Sequence, residues 1–133
     1  MSPAPEVHRT IDALYDAWSA AFRRGDVDAI VEMLTADYLL WAAGLPAMVG
    51  REPLRPILER TFAAGEVTSS FDLEERLTDG GLAIDRGWDV QAVRLRATGE
   101  LRTARQRAVL VLRRDDLGAW RFARGFRMPG PPP

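Results

Sequence analysis

Apolar residues recur every three or four positions through Val7, Ile11, Leu14, Trp18 and Phe22, which predicts an amphipathic helix over about residues 6–23. Gly25 ends it, where a left-handed residue commonly closes a helix. Asp26 then caps a second helix whose buried stripe is Val27, Ile30, Met33 and Leu34. Residues 38–41 read as a strand that turns through Gly44 and Pro46 into a short partner at 47–49. A third helix opens with Pro53 in its first turn, where no hydrogen bond is lost. Its inward face is Leu54, Ile57, Leu58 and Phe62, and Gly65 stops it. From residue 67 the period shortens. Segments 67–77, 82–96, 101–113 and 119–128 predict four long strands, with turn signals at 79–81, 98–99 and 115–118. Helices first and strands after specify an α+β domain, with three N-terminal helices packed on a curved, mostly antiparallel sheet. That single domain spans residues 1–128, and the proline-rich residues 129–133 are expected to form a frayed, extended tail.

Composition removes several classes of function. The 133 residues are 47% hydrophobic and 28% charged, which is ordinary for one globular domain. A net charge of −1 gives no overall pull on nucleic acid or membrane, so neither is expected as a partner. All 18 basic residues are Arg, and Cys is absent, which rules out disulfides, thiol nucleophiles and Cys-based zinc sites. No apolar run approaches the ~20 residues of a membrane span. The first residues lack an export pattern, so a cytoplasmic location is expected.

Familiar catalytic constellations are missing too. His8, the one His, lies at the start of the first helix and is expected to be exposed and idle, a lid residue being the functional alternative. No Ser-His-Asp arrangement can therefore be assembled. Glu74 and Glu75 are adjacent on a strand and are expected to point to opposite faces, which denies them a shared ion. Asp115 and Asp116 read as solvated turn residues. Neither a metal nor a cofactor is expected.

The order of several short motifs is more specific than any one of them. Residues 11–14, Trp18, residues 25–30, 36–40 and 49–54, and Leu58 are followed by 82–88 and 118–122. This run resembles the SnoaL-like branch of the nuclear-transport-factor-two-like superfamily, cone-shaped α+β domains that hold a pocket. The resemblance implies where catalytic groups of better-known members would fall. The ketosteroid isomerase oxyanion Tyr falls on Trp18, its base on Ala42 and its second acid on Leu110, so steroid isomerase chemistry is not implied. The Arg of limonene-epoxide hydrolases falls on Arg86, and their two Asp residues fall on Trp88 and Gly125.

In that alignment the concave face gathers Trp18, Tyr38, Leu40, Ala42, Ile57, Arg86, Trp88 and Val90 from the first two thirds of the chain. Leu110, Leu112, Ala123, Gly125 and Arg127 complete it. Such a cavity suits a flat or polycyclic hydrophobic ligand with a carboxylate, phenolate or polarised carbonyl, and Gly125 is expected to enlarge it. A one-residue slip of the strand at 82–96 would instead turn Asp85 and Asp89 into the pocket.

Two functions follow from the resemblance. One is a cofactor-independent cyclase, isomerase or hydrolase of natural-product tailoring, with Arg86 and Arg127 stabilising an oxyanion and Tyr38 as general acid. Asp85 or Asp89 would be its base in the slipped register. The other is a non-catalytic module for binding a small molecule or for dimerisation. Arg86 and Arg127 also have a structural reading, paired across strands with Asp85, Asp89 or Glu74, or left in solvent. Trp120 reads as a structural plug. A homodimer is expected to cover Val93, Leu95, Val109 and Val111 on the convex face.

Overall fold

Gly25, at a φ of 67°, supplies the left-handed residue that closes α1 (Ala4–Arg24). Asp26 then caps α2 (Val27–Glu32), its carboxylate accepting from the Ala29 N–H at 3.1 Å. The chain continues through β1 (Leu34–Ala42), β2 (Met48–Val49) and α3 (Leu54–Ala64). Four long strands follow: β3 (Gly65–Asp79), β4 (Leu82–Leu95), β5 (Leu101–Arg114) and β6 (Trp120–Pro129). The structure is a computed structural model and describes residues 4–130.

All six strands form one sheet in the order β2-β1-β6-β5-β4-β3. Every pairing is antiparallel except β1 with β6. The helices lie on one face, where α1 packs along β3 and reaches β6. This is the α+β architecture that the pattern predicts. Two apolar clusters hold it together. One joins Ile11 of α1 to Leu34, Leu110, Leu112, Trp120 and Phe122 of the sheet. The other packs Phe22, Ile30, Val31 and Leu58 of the helices against Val67. Trp120 is a buried plug, as expected.

Several expected positions shift, each for a local reason. Leu34 begins β1 instead of ending the second helix, and its backbone pairs beside Phe122. In α3 the buried line is Leu54, Leu58 and Phe62, while Ile57 is 43% exposed on the flank. Ile57 is thus no pocket residue. Val93 faces the helices and packs against the second cluster, and Leu95, two residues on, shares that parity. Neither belongs to the convex face. A bulge between Leu73 and Glu75 in β3 overturns the strict alternation expected there. It brings Glu74 and Glu75 to the same guanidinium, that of Arg86, at 3.2 and 3.4 Å. At the other end of the chain, Pro129 still pairs with Gln106 inside β6, and Gly130 approaches the Trp88 ring. Residues 129 and 130 are thus held against the sheet, and the rest of the expected tail, residues 131–133, lies outside the described residues, as do residues 1–3.

Candidate functional site

β4 decides which groups can reach the interior. Its alternation buries Ala83, Asp85, Gly87 and Asp89, and turns Arg86, Trp88 and Val90 to the convex side. The one-residue alternative is the register adopted. Bulk and charge explain why. Facing inward, Arg86 and Trp88 would compete for space with α1, whose Tyr15 stacks on Phe71 and whose Tyr15 and Trp18 both meet Phe122 edge-on. Facing outward, Trp88 lies under the guanidinium groups of Arg105 and Arg107, at 4.1 and 5.3 Å from its ring. Arg86 is 53% exposed between Glu74 and Glu75. These placements correct the expectation that Arg86, Trp88 and Val90 line the pocket, and with it the proposed catalytic role of Arg86.

The two inward carboxylates meet different surroundings. Asp85 is fully buried, at 0% exposure, and Arg76 of β3 grips it with two N–H groups at 2.8 and 2.9 Å. The Tyr15 hydroxyl donates a third hydrogen bond at 2.8 Å. Arg76 also donates to Asp12 at 3.0 Å and to the His8 carbonyl at 3.2 Å. His8 is thus partly buried against this network rather than idle in solvent. Burial and the Asp85 charge push the Tyr15 hydroxyl far above the ordinary phenol range, so it remains a donor. With its oxygens committed, Asp85 is a fastener between α1 and the sheet. It does not serve as the expected base.

Asp89 is different. Its side chain is 10% exposed and lines an interior cavity with Tyr38, Arg127, Leu110, Trp18 and Phe122. Tyr15, Ser19, Leu34, Ser70 and Phe71 complete the lining. Arg127 Nε lies 3.1 Å from Asp89 Oδ2, and Gln91 donates to the same oxygen at 3.5 Å. Among the described residues, Oδ1 takes part in no hydrogen bond. The Arg127 contact is an ion pair without an aligned hydrogen bond, because the buried Nε–H finds no acceptor in its direction. Burial raises the Asp89 carboxyl above its ordinary value, with Arg127 and then Gln91 pulling the other way. Tyr38 is raised chiefly by burial, against a lowering from Arg127, so its phenol stays protonated beside the pair.

The cavity volume is about 20 Å³. That is room for roughly one water molecule, and far below the ~300 Å³ or more of a site for a drug-sized ligand. A polycyclic ligand does not fit this interior as it stands. Gly125 shows why: a Cβ there would lie 2.7 Å from the Tyr38 hydroxyl, so the missing side chain accommodates Tyr38 and does not enlarge the cavity.

Other expected lining residues also separate. Leu112 is core, Leu40 packs behind Gly125, and Ala42 borders a shallow pocket of about 430 Å³ with Trp41, Phe126 and Met128. A bulge in β6 between the partners of Val111 and Leu112 reverses the parity upstream of Arg124. Phe122 thereby takes the cavity position expected of Ala123, which is buried without lining it. Tyr15 was legible only as part of a helical stripe offset from Leu14, and Phe71 only as one strand residue among many. The expected Tyr38, Asp89, Arg127, Trp18 and Leu110 do come together. Among the described residues, no group of three or more His, Cys, Asp or Glu is placed to hold a metal.

A sheet curled around one long helix, closing on a small polar cluster with aromatic walls, defines a cone-shaped α+β pocket protein. The family model described as SnoaL-like domain matches residues 12–122, and the chain belongs to that family. Solved structures agree on the fold. A conserved protein from Planctomyces limnophilus superposes with a TM-score of 0.85 at 23% identity, over 96% of this chain and 97% of its own. A ketosteroid isomerase-like protein from Erwinia carotovora atroseptica gives 0.72 at 27% identity, covering 93% and 96%. An NTF2-like protein with a cystatin-like fold from Novosphingobium aromaticivorans gives 0.77 at 18%, covering 94% and 82%. Comparison with curated proteins finds no match. Among the described residues, no helix is long and apolar enough to cross a membrane.

Proposed function

We propose that the chain is a cofactor-independent enzyme that moves a proton on a small hydrophobic metabolite. The observation that carries this reading is the uncommitted Oδ1 of buried Asp89, held beside Arg127 and the Tyr38 phenol. A buried carboxylate with a raised pKa is a stronger base than an exposed one, and it is driven to take a proton. Asp89 would remove a proton from the carbon next to a carbonyl. The C–H electron pair then forms a carbon–carbon double bond, and the carbonyl π pair moves onto oxygen. Tyr38 O–H and Arg127 stabilise that oxyanion; in a β,γ-unsaturated carbonyl the anion is a dienolate, and return of the proton to its γ carbon shifts the double bond into conjugation and completes an isomerisation. Closure of the enolate on a second carbonyl gives a cyclisation instead. The relative from Erwinia, described as ketosteroid isomerase-like, supports the reaction class and not the substrate, since Trp18, Ala42 and Leu110 stand where steroid isomerases keep their catalytic groups.

A specific observation favours a second reading. A cavity of about 20 Å³ admits no ring unless a wall side chain moves, which suits a non-catalytic dimerisation or binding module. Under either reading, a second copy is proposed to cover the convex apolar surface of Trp41, Val109, Phe126 and Met128. The two readings separate by experiment. Small cyclic ketones incubated with the protein in D₂O should gain deuterium next to the carbonyl, as read by NMR. Asp89→Asn should reduce that rate at least ~100-fold. Equal exchange by wild type and Asp89→Asn would sink the enzyme.

A further inference from the structure

The charge inside the cavity restricts what can bind there more sharply than its size does. Three polar residues line a space of about 20 Å³: Tyr38, Asp89 with its free Oδ1, and Arg127 with its unpaired Nε–H. Among the described residues the Arg127 Nε–H is buried without an acceptor, and neither the Tyr38 hydroxyl nor Asp89 Oδ1 takes part in a hydrogen bond within the protein. An Arg lining an apolar pocket ordinarily invites a carboxylate or phosphate. Here the invitation is cancelled, because Asp89 already stands 3.1 Å from Arg127. A ligand anion in the same space would meet a like charge in a buried setting, a juxtaposition that costs several kcal/mol.

We infer that Asp89 is a specificity-determining residue that closes the Arg127 site to anions and reserves it for one neutral oxygen, the hydroxyl or carbonyl group of a ligand, with water as the smallest occupant. The inference rests on the reading of Tyr38, Asp89 and Arg127 as the ligand site. It narrows the ligand beyond that reading: carboxylates, phosphates and phenolates are excluded, and alcohols and ketones are admitted. A hydroxyl satisfies the geometry most fully. Its oxygen accepts from Tyr38 and from Arg127 Nε, and its proton goes to Asp89 Oδ1. A carbonyl uses the two donors and leaves Oδ1 free, which is what abstraction of a neighbouring proton requires.

Bromide tests this, as a single-atom anion that anomalous diffraction locates without ambiguity. Crystals of wild type and of Asp89→Asn would be soaked in sodium bromide at neutral pH. The wild type should show an oxygen between Tyr38, Asp89 and Arg127 and no anomalous peak there. The Asn variant should hold bromide against Arg127, with affinity at least ~100-fold higher than wild type. A bromide peak at this position in the wild type overturns the proposal. So does the lack of one in a variant whose Tyr38 and Arg127 keep their places.

Should Asp89→Asn fail to fold, acidifying the wild-type soak neutralises Asp89 itself and must admit bromide. The other ionisable or charged groups facing the cavity are Tyr15, Tyr38 and Arg127, and they keep their charge state on acidification. Continued exclusion of bromide from acidified crystals overturns the proposal as well. The outcome is independent of catalysis. A wild type that excludes bromide but exchanges no deuterium would remove the enzyme and keep the selectivity; one that exchanges deuterium and binds bromide would do the reverse.

Discussion

Two aspartates four residues apart on one strand face illustrate how surroundings decide chemistry. Asp85 and Asp89 share β4 and its inward parity, yet Asp85 is saturated by Arg76 and Tyr15 while Asp89 keeps a free oxygen. For Asp89, burial raises the pKa, so the basic form is populated only at a pH above the ordinary carboxylate value of 3.8. The rising limb of the exchange rate against pH should therefore lie above that value. Arg127 lowers the Asp89 pKa, so Arg127→Met should move the limb to still higher pH, as measured by the same deuterium assay. For Asp85 the expectation concerns stability. Arg76 is only 2% exposed, and Asp85→Leu removes its buried partner and leaves it the exposed Asp12 alone, at a cost of about 3–5 kcal/mol in urea unfolding. The double variant Arg76→Met/Asp85→Leu should recover most of that loss, because no buried charge remains and Asp12 is left in solvent. A double variant as unstable as the single one would contradict this account.

Among the elements, β3 and β4 carry the feature that fixes the cavity. Glycine stands at position 87 because the β3 bulge brings the Asp72 carbonyl to 2.1 Å from where a Cβ would be. That approach involves backbone and cannot be relieved by turning a side chain. Gly87→Ala should separate the strands at the bulge and destabilise the fold by about 1–3 kcal/mol. The disturbance should also reach Asp89 two residues on, so deuterium exchange should fall more than the loss of folded protein explains. Thermal unfolding and exchange measured on the same samples would distinguish the two effects. The same strand pair shows why Arg86 was a misleading candidate. Its charge is answered by Glu74 and Glu75, which only the bulge brings to one side.

In the whole molecule, helices cover one face of the sheet and the convex face is left to solvent in a single chain. Trp41 and Met128 are exposed there, and Val109 and Phe126 lie between them. A second copy packed on this surface would remove apolar area from water without touching the interior. Light scattering should give the mass of a dimer at micromolar concentration, and Val109→Glu should return it to that of a monomer. A wild type that is monomeric under those conditions would rule the pairing out. Interior binding should survive in the monomeric variant, because the cavity is built from one chain alone.

Periodicity was enough for the architecture. The helical stripe from Val7 to Phe22, the break at Gly25 and the four long strands all stand where alternation places them, because burial of an apolar face is a local property of each segment. Part of the site was legible as well: Tyr38, Asp89, Arg127, Trp18 and Leu110 do meet in the cavity. Sequence could not choose between the two registers of β4, since Asp85 and Asp89 alternate with Arg86 and Trp88 and each set makes a possible face. Tertiary structure decided it. Arg76 arrives from another strand to neutralise Asp85, α1 fills the space that Trp88 would need, and two bulges reset the parity of β3 and β6. Those contacts join residues far apart in the chain, and a single extra residue in a strand reverses every side chain beyond it.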